Sequence, residues 1–310
     1  MANFESGKHW LVRRGTLMAN YLINDEIIEA VKNTQGVFFN KISHVEIKNI
    51  LSNILSFEKP FYQKEILSKY TPIENRKILE IGSGLGINLL VWIKAFKADG
   101  YGIEPAASGF DSSHDISKRI FYLNHIDPNR IINATGEKIP FEDHSFDIVY
   151  STNVLEHVRS PLKVIDEALR VVKPGGIVQI VYPNYLSYYD GHYSVFHPPL
   201  LWKDFFPWYV KHIWRRDPSF AKTIHTELNI FWTYNILKTL HGKYGFRVLS
   251  FGEEVFYERM SSFDFEAKGG LSKVKHLVEI AGKLRLNKIL AKTVLLMKGW
   301  SPIILTMQKK

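Results

Sequence analysis

The sequence contains no cysteine. That excludes disulfide bridges, thiolate-bound metals and thiol nucleophiles, and it fits a cytosolic setting. No apolar run approaches the ~20 residues a membrane-spanning helix needs. The first residues, MANFESGKHW, hold no apolar stretch of the length of a secretory leader. The expectation is therefore a cytoplasmic protein, soluble or lying on a membrane surface. Internal repeats and low-complexity tracts are also missing, which leaves a globular reading.

What is present is ordinary in amount and uneven in placement. The 310 residues are 45% hydrophobic, enough for one large domain or a domain with additions. The formal charge is +9. Residues 201–310 carry 19 Lys+Arg and 9 Asp+Glu, so the excess is a property of the C-terminal third. A basic region of this kind is either a solvated face or a partner for phosphate on lipid, nucleotide-linked substrate or nucleic acid. Nucleic acid is not the expected partner, because basic and aromatic residues are segregated rather than interleaved.

The periodicity divides the chain. Residues 1–60 read as an accessory helical region. In it Trp10, Leu11 and Val12 precede Arg13 and Arg14, a helix starts at Asp25, and Ile47, Ile50, Leu51 and Ile54 form a stripe. A helix over Phe61–Tyr70 stops at Thr71-Pro72. Strands and helices then alternate. Strands are expected at Ile78–Ile81, Tyr101–Ile103, Arg130–Asn133, Phe146–Tyr150 and Ile177–Tyr182. Helices are expected at Gly86–Phe96, Asp115–Asn124 and from Pro161, with Lys173-Pro174-Gly175-Gly176 as the turn into the fifth strand. Such alternation predicts an α/β fold with a doubly wound, mostly parallel sheet, whose ligands bind beyond the carboxyl ends of the strands. Residues 61–310 form this main domain, with two insertions. One, at 183–234, lies in a stretch (182–234) holding 16 of the chain's 42 aromatic residues, which makes it either a packed lid or a surface for a sugar or lipid. The other, at 252–300, contains a basic helical segment over 271–300. A helix about Ile236–Leu240 and strands over 245–251 and 302–308 complete the domain.

The organising stretch is Lys77–Leu90, KILEIGSGLGINLL. It is a strand, a glycine turn and a helix start, the parts of a nucleotide-binding crossover. Its G-x-G-x-G spacing and the acid within the strand depart from a dinucleotide fingerprint and argue against a nicotinamide oxidoreductase. Four further stretches follow in order: Tyr101-Gly102-Ile103-Glu104; Gly136 to Phe141 with Ser145 to Val149; Asn153-Val154-Leu155-Glu156-His157-Val158; and Arg170 to Gly176. Together these resemble the class I S-adenosylmethionine (SAM) methyltransferases of type 11. The resemblance implies a Rossmann-like seven-stranded sheet and SAM as cofactor. It assigns Glu80, Gly82, Ser83, Gly84 and Gly86 to the amino acid tail and its surroundings. Glu104 falls to the ribose hydroxyls, Thr135 and Gly136 to the adenine edge, and Asn153 to the adjoining loop. Thr135 stands where the family usually has Asp. Asp147 is read as structural.

Methyl transfer to oxygen needs a proton acceptor, and the candidates are His157, in the Leu-Glu-His motif, and His192, just after the fifth strand. Asn184, Tyr185, Asp190 and His197 on the same loop are expected to bind substrate. Asp190, His192 and His197 are too unevenly spaced for a metal set, so no metal is assigned, and His225-Thr226-Glu227 adds little. The acceptor is expected to be a small molecule or a glycan- or lipid-linked intermediate methylated on oxygen. Alternatives are C- or N-methylation of a quinone, isoprenoid or other natural product, or a SAM-binding subunit without catalysis. The basic segment 271–300 either packs on the protein or contacts an anionic membrane.

Overall fold

The computed structural model describes residues 21–106, 113–199, 205–262 and 286–310, together with 280 and 282. The hydrophobic run of β1 (Lys77–Ile81) is the third strand, flanked on both sides, of a seven-stranded sheet. The other strands are β2 (Asp99–Ile103), β3 (Ile131–Ile132), β4 (Phe146–Thr152), β5 (Val172–Tyr182), β8 (Phe246–Ser250) and β9 (Ile303–Lys309). Their order is β3-β2-β1-β4-β5-β9-β8. The first five are parallel, and β9 enters antiparallel between β5 and β8. The mostly parallel, doubly wound sheet is as expected. The strand order reverses between β1 and β4, which places the ligand crevice beyond Ile81 and Thr152.

Three helices follow strands as crossovers: α5 (Ile87–Phe96), α6 (Ser113–Leu123) and α7 (Pro161–Val171). Ahead of β1 come α1 (Asp25–Val31), α2 (Val37–Ser43), α3 (Ile47–Ile54) and α4 (Lys59–Ser68). Asn24 caps α1 by accepting from the Ile27 amide, with Asp25 and Glu26 in the first turn where the helix dipole favours acids. Ile27 and Val31 pack on Leu85, Leu89 and Phe121, so α1 covers the helices beside the glycine turn. In α2, Phe38 meets Phe220 edge-on at 5.2 Å. The accessory region thus reaches both the glycine turn and the aromatic insertion. Trp10 to Arg14 lie outside the described residues.

Two local readings are corrected. Lys173–Gly176 is not a turn ahead of the fifth strand. β5 already starts at Val172, and the ladder skips from Phe146↔Val172 to Ile148↔Ile177. Gly175, at φ +78, lets the backbone bulge within the strand. The third strand is shorter than Arg130–Asn133 because Pro128–Arg130 forms a 3-10 turn. Asp147 is structural, as expected: it accepts from the Lys77 amide and pairs with Lys173 at 2.9 Å.

Within the first insertion, β6 (Tyr189–Asp190) and β7 (Val195–Phe196) form a small ribbon, followed by α8 (Phe205–His212). The long α9 (Ile230–Tyr244) extends well beyond the expected Ile236–Leu240. Tyr185 and Phe206 are core residues, whereas Tyr188, Trp208 and Trp214 stay exposed and Trp202 lies outside the described residues. The insertion is therefore packed inside and apolar outside. The second insertion is described as α10 (Glu253–Ser262) and α11 (Asn287–Leu296); Leu271 to Glu279, with Lys273 and Lys275, lie outside the described residues, as do Lys283 and Arg285.

Candidate active site

The glycine turn after β1 is built by backbone conformation. Gly82, Gly84 and Gly86 all adopt positive φ, where side chains are disfavoured. Gly82 also faces Val154: a Cβ there would lie 2.3 Å from the valine methyl. Gly84 is different, because a Cβ there would meet nothing within 4 Å. The middle of the turn is therefore open above its backbone. The Gly82 and Ser83 amides donate to the Ile103 carbonyl, tying the turn to the end of β2. Glu104, the next residue, accepts from the Gly84 amide through Oε2 at 2.9 Å. Burial pushes the Glu104 pKa up.

Glu80 lies on the inner face of β1 and is only 6% exposed. Asn88, in the first turn of α5, donates to its Oε1 at 2.8 Å, while Oε2 has no partner among the described residues. Burial pushes its pKa up to about 8, against the Asn88 bond and with help from Glu104. The Ser83 hydroxyl and Asn88 Oδ1 are likewise buried without partners. A neutral buried acid has a definite effect on stability. Folding takes up a proton between the unfolded pKa near 4.5 and the folded value near 8, so stability falls as pH rises through that window. Glu80→Gln keeps an acceptor for Asn88 and removes the titration. The melting-temperature advantage of this variant over wild type is expected to widen by several degrees from pH 5 to pH 9; a difference that does not change with pH would refute it.

Thr135 is exposed, and its carbonyl accepts from the Lys138 amide in the turn after β3. Gly136 beside it is buried where a Cβ would sit 2.9 Å from Ile81. Asn153 lies at the end of β4 with φ +53, its amide bonded to Val181. The loop it opens carries Val154 over the glycine turn. Two residues later the same loop places Glu156 and His157 against the insertion.

There a second cluster forms. His157 Nε2 and His192 Nε2 are 3.2 Å apart, and each is 3.9 Å from Glu156 Oε1. His192 Nδ1 lies 3.2 Å from Asp190 Oδ2, which makes Nδ1 the donor. Asp190 is held in turn by the Tyr193 amide at 2.7 Å and the Tyr185 hydroxyl at 3.4 Å. Burial disfavours the charged His192 ring, but Asp190 and Glu156 outweigh it and raise its pKa. Burial, with the His192 ring, lowers that of His157. The phenyl ring of Phe220 lies against both imidazoles, 5.5 and 5.2 Å between centroids. His225 braces the loop, its amide donating to the Glu156 carbonyl and its Nε2 lying 2.8 Å from the Val158 carbonyl.

The two expected catalytic histidines, 35 residues apart in sequence, are thus neighbours. The expected substrate residues do not share one surface. Asn184 is fully buried and uses its amide on the Lys298 and Trp300 carbonyls and the Leu186 amide, which makes it a tie between the insertion and the chain before β9. Tyr185 is a core residue whose hydroxyl reaches Asp190. Asp190 is a positioning residue. His197 is buried with Nδ1 on the Pro198 carbonyl and does not join the cluster. Glu156 and Asn88 were not anticipated as site residues. Glu156 belongs to the Asn153–Val158 stretch, but no sequence signal shows that an acid between Leu155 and His157 points inward.

Residues 79–180 match the family of methyltransferase domains. That segment is a methyltransferase domain. It holds most of β1 through most of β5, with the glycine turn and the Glu156–His157 pair. An uncharacterized methyltransferase of Mycolicibacterium vanbaalenii is 33% identical over 118 residues, which are 37% of this chain and 42% of that protein. Another, from Mycobacterium tuberculosis, is 34% identical over 121 residues, 39% of this chain and 44% of its own. The chain thus spans less than half the length of these relatives. Among solved structures, the YcgJ protein of Bacillus subtilis aligns over 79% of this chain and 94% of its own, with TM-score 0.44 and 13% identity.

Proposed function

We propose that the chain transfers a methyl group from SAM to an oxygen of a small-molecule or glycan- or lipid-linked acceptor. The observation that carries the reading is the glycine turn itself. It is open at Gly84, flanked by a buried, half-satisfied acid at Glu80, and bonded to an acid at the end of β2. These features suit a ligand with a cationic tail and a vicinal diol. When bound, SAM supplies a methyl group on a sulfonium sulfur. Glu80, Gly82, Ser83, Gly84 and Gly86 would hold its tail, and Glu104 its hydroxyls, through charge-assisted bonds. Gly136, packed on Ile81 at the end of β1, and Asn153, just after β4, would border the same ligand, with the exposed Thr135 beside Gly136. The residues present fit the group.

The Glu156–His157–His192 cluster supports oxygen as the acceptor atom. A hydroxyl must lose its proton as the new bond forms, and imidazole and carboxylate groups beside the crevice serve that need. The rest of the catalysis is alignment, which positioning can supply. The test is to incubate the protein with methyl-labelled SAM and fractionated cell extract, then identify the labelled product. A label on oxygen sustains the reading. A label on carbon or nitrogen overturns the oxygen assignment, and SAM binding without any labelled product favours a non-catalytic subunit.

A lipid-linked acceptor is supported by α11. Asn287 and Ala291 bury one side of that helix, with Asn287 bonded to the Ser261 carbonyl. Ile289 and Leu296 on the opposite side are exposed at 61% and 84%, and Leu290 on the helix with Leu286 and Met297 at its two ends are exposed as well. Lys288 and Lys292 are exposed on the same helix. Apolar side chains flanked by lysines fit an anionic bilayer surface. Among the described residues no helix is long and apolar enough to cross a membrane. Each lysine near such a surface contributes about 1 kcal/mol, so Lys288→Glu with Lys292→Glu should weaken binding to phosphatidylserine vesicles by about 30-fold or more. Absence of vesicle binding by wild type at low salt would end the idea.

A further inference from the structure

The cluster beside the crevice has the chemistry of a metal site. Glu156 is fully buried, and neither of its carboxylate oxygens has a hydrogen-bond partner among the described residues. Within 4.0 Å the only ion-pair partners described for it are His157 and His192. A buried carboxyl in that condition is satisfied either by a proton or by a cation, and the geometry around it favours the cation. The two imidazoles face the same point. Asp190 fixes the proton of His192 on Nδ1, so the neutral ring turns the lone pair of Nε2 inward, toward Nε2 of His157. Carboxylate–histidine pairs of this kind set the tautomer and orientation of metal-binding imidazoles.

We propose that Glu156, His157 and His192 bind one divalent transition-metal ion through a carboxylate oxygen and two Nε2 atoms, with Asp190 positioning His192. The three ligand atoms all lie within 4.8 Å of one another. Metal–nitrogen bonds of about 2.0–2.1 Å place adjacent ligands about 3.0–3.4 Å apart. The observed Nε2–Nε2 separation of 3.2 Å lies in that range. The 3.9 Å distances to Glu156 Oε1 close with a shift of about 0.5 Å toward such bond lengths. Two imidazoles and one carboxylate select a borderline ion such as Zn²⁺ or Co²⁺ over Mg²⁺ or Ca²⁺. Three protein ligands leave a coordination position open.

The supporting shell is already built. The β6–β7 ribbon fixes Asp190 and carries His192 in its connecting loop. His225 and the Val154 carbonyl fix the backbone of the Glu156–His157 pair. Phe220 covers both rings from one side. With an ion bound, the two Nε2 atoms no longer accept a proton themselves; the ion would instead lower the proton affinity of an acceptor hydroxyl, so that removing His192 still costs the proton-handling step. That role rests on the methyl-transfer reading, whereas the binding of the ion does not.

The experiment uses the full chain, stripped with chelator and dialysed. It is titrated with Co²⁺, followed by visible absorption, and with Zn²⁺, followed by calorimetry. One equivalent should bind, with cobalt bands of a nitrogen- and oxygen-ligated site. Glu156→Gln, which keeps the shape of the side chain, and His192→Ala should each weaken binding by about 100-fold or more. His212→Gln, an exposed histidine on α8, should not. Thermal melting of each stripped variant separates lost binding from lost folding: Zn²⁺ should raise the melting temperature of wild type and His212→Gln and leave that of Glu156→Gln unchanged. No binding by wild type, or equal binding by Glu156→Gln, overturns the site. SAM affinity measured on the same stripped protein separates the two readings. Retained SAM binding without metal binding overturns only this one, and the converse result overturns only the cofactor assignment.

Discussion

Replacing Glu104 by alanine is expected to weaken SAM binding by about a hundredfold or more, read by calorimetry. Glu104 stands at the end of β2, the strand beside β1, and Gly84 lies at the open centre of the turn between β1 and α5. The side chain bonds the turn through Oε2, and Oε1 has no described protein partner. A carboxylate so placed both shapes the turn and offers an acceptor to ligand hydroxyls. Each charge-assisted hydrogen bond contributes about 1.5–3 kcal/mol, so losing two to a ribose accounts for the predicted drop. The two roles are separable. Glu104→Gln can still accept from the Gly84 amide but carries no charge, so its loss in affinity should be smaller than that of alanine. If both variants bind SAM as wild type does, the crevice has been assigned to the wrong ligand.

His192→Ala should lower methyl incorporation by about 10²–10⁴-fold, the usual range for removing a group that manages a transferred proton. SAM affinity should stay within about twofold of wild type, because His192 lies on the insertion, outside the residues proposed to hold the cofactor. The readout is the rate of label transfer into the product identified with wild type, with SAM affinity measured beside it. The ring is anchored by Asp190 on one side and faces His157 and Glu156 on the other. Its removal therefore breaks the cluster at its centre. Asp190→Asn should give a smaller loss in rate with SAM affinity unchanged, since it alters the orientation and tautomer of His192 without removing the ring. Normal turnover in His192→Ala would place the proton acceptor elsewhere.

The parts of the molecule legible in sequence are those governed by neighbours in the chain. The strand–turn–helix at Lys77–Leu90 follows from an apolar run, three glycines that must take positive φ, and an apolar helix start. The acid closing β2 was legible because strand ends and their turns are local. Less was legible where a residue's role depends on what folds against it. Asn184 had the look of a loop residue awaiting a ligand, yet its amide goes to carbonyls 114 and 116 residues away. The Gly175 bulge reads in sequence as a simple turn because glycine serves both, and only the ladder with β4 distinguishes them. The place of β9 between β5 and β8 was equally hidden, since a strand's neighbours are not encoded in its own pattern.

Glu156 shows the division most clearly. Sequence alone determined the crossover unit, the parallel sheet around it and the glycine turn, because backbone sterics and short-range periodicity act between residues close in the chain. Tertiary structure alone decided that a glutamate after Leu155 is buried without a donor, and that an imidazole from an insertion 35 residues later lies opposite its neighbour. Burial and convergence are properties of surfaces brought together by packing, and the energetic cost of an unpaired buried charge exists only once those surfaces meet.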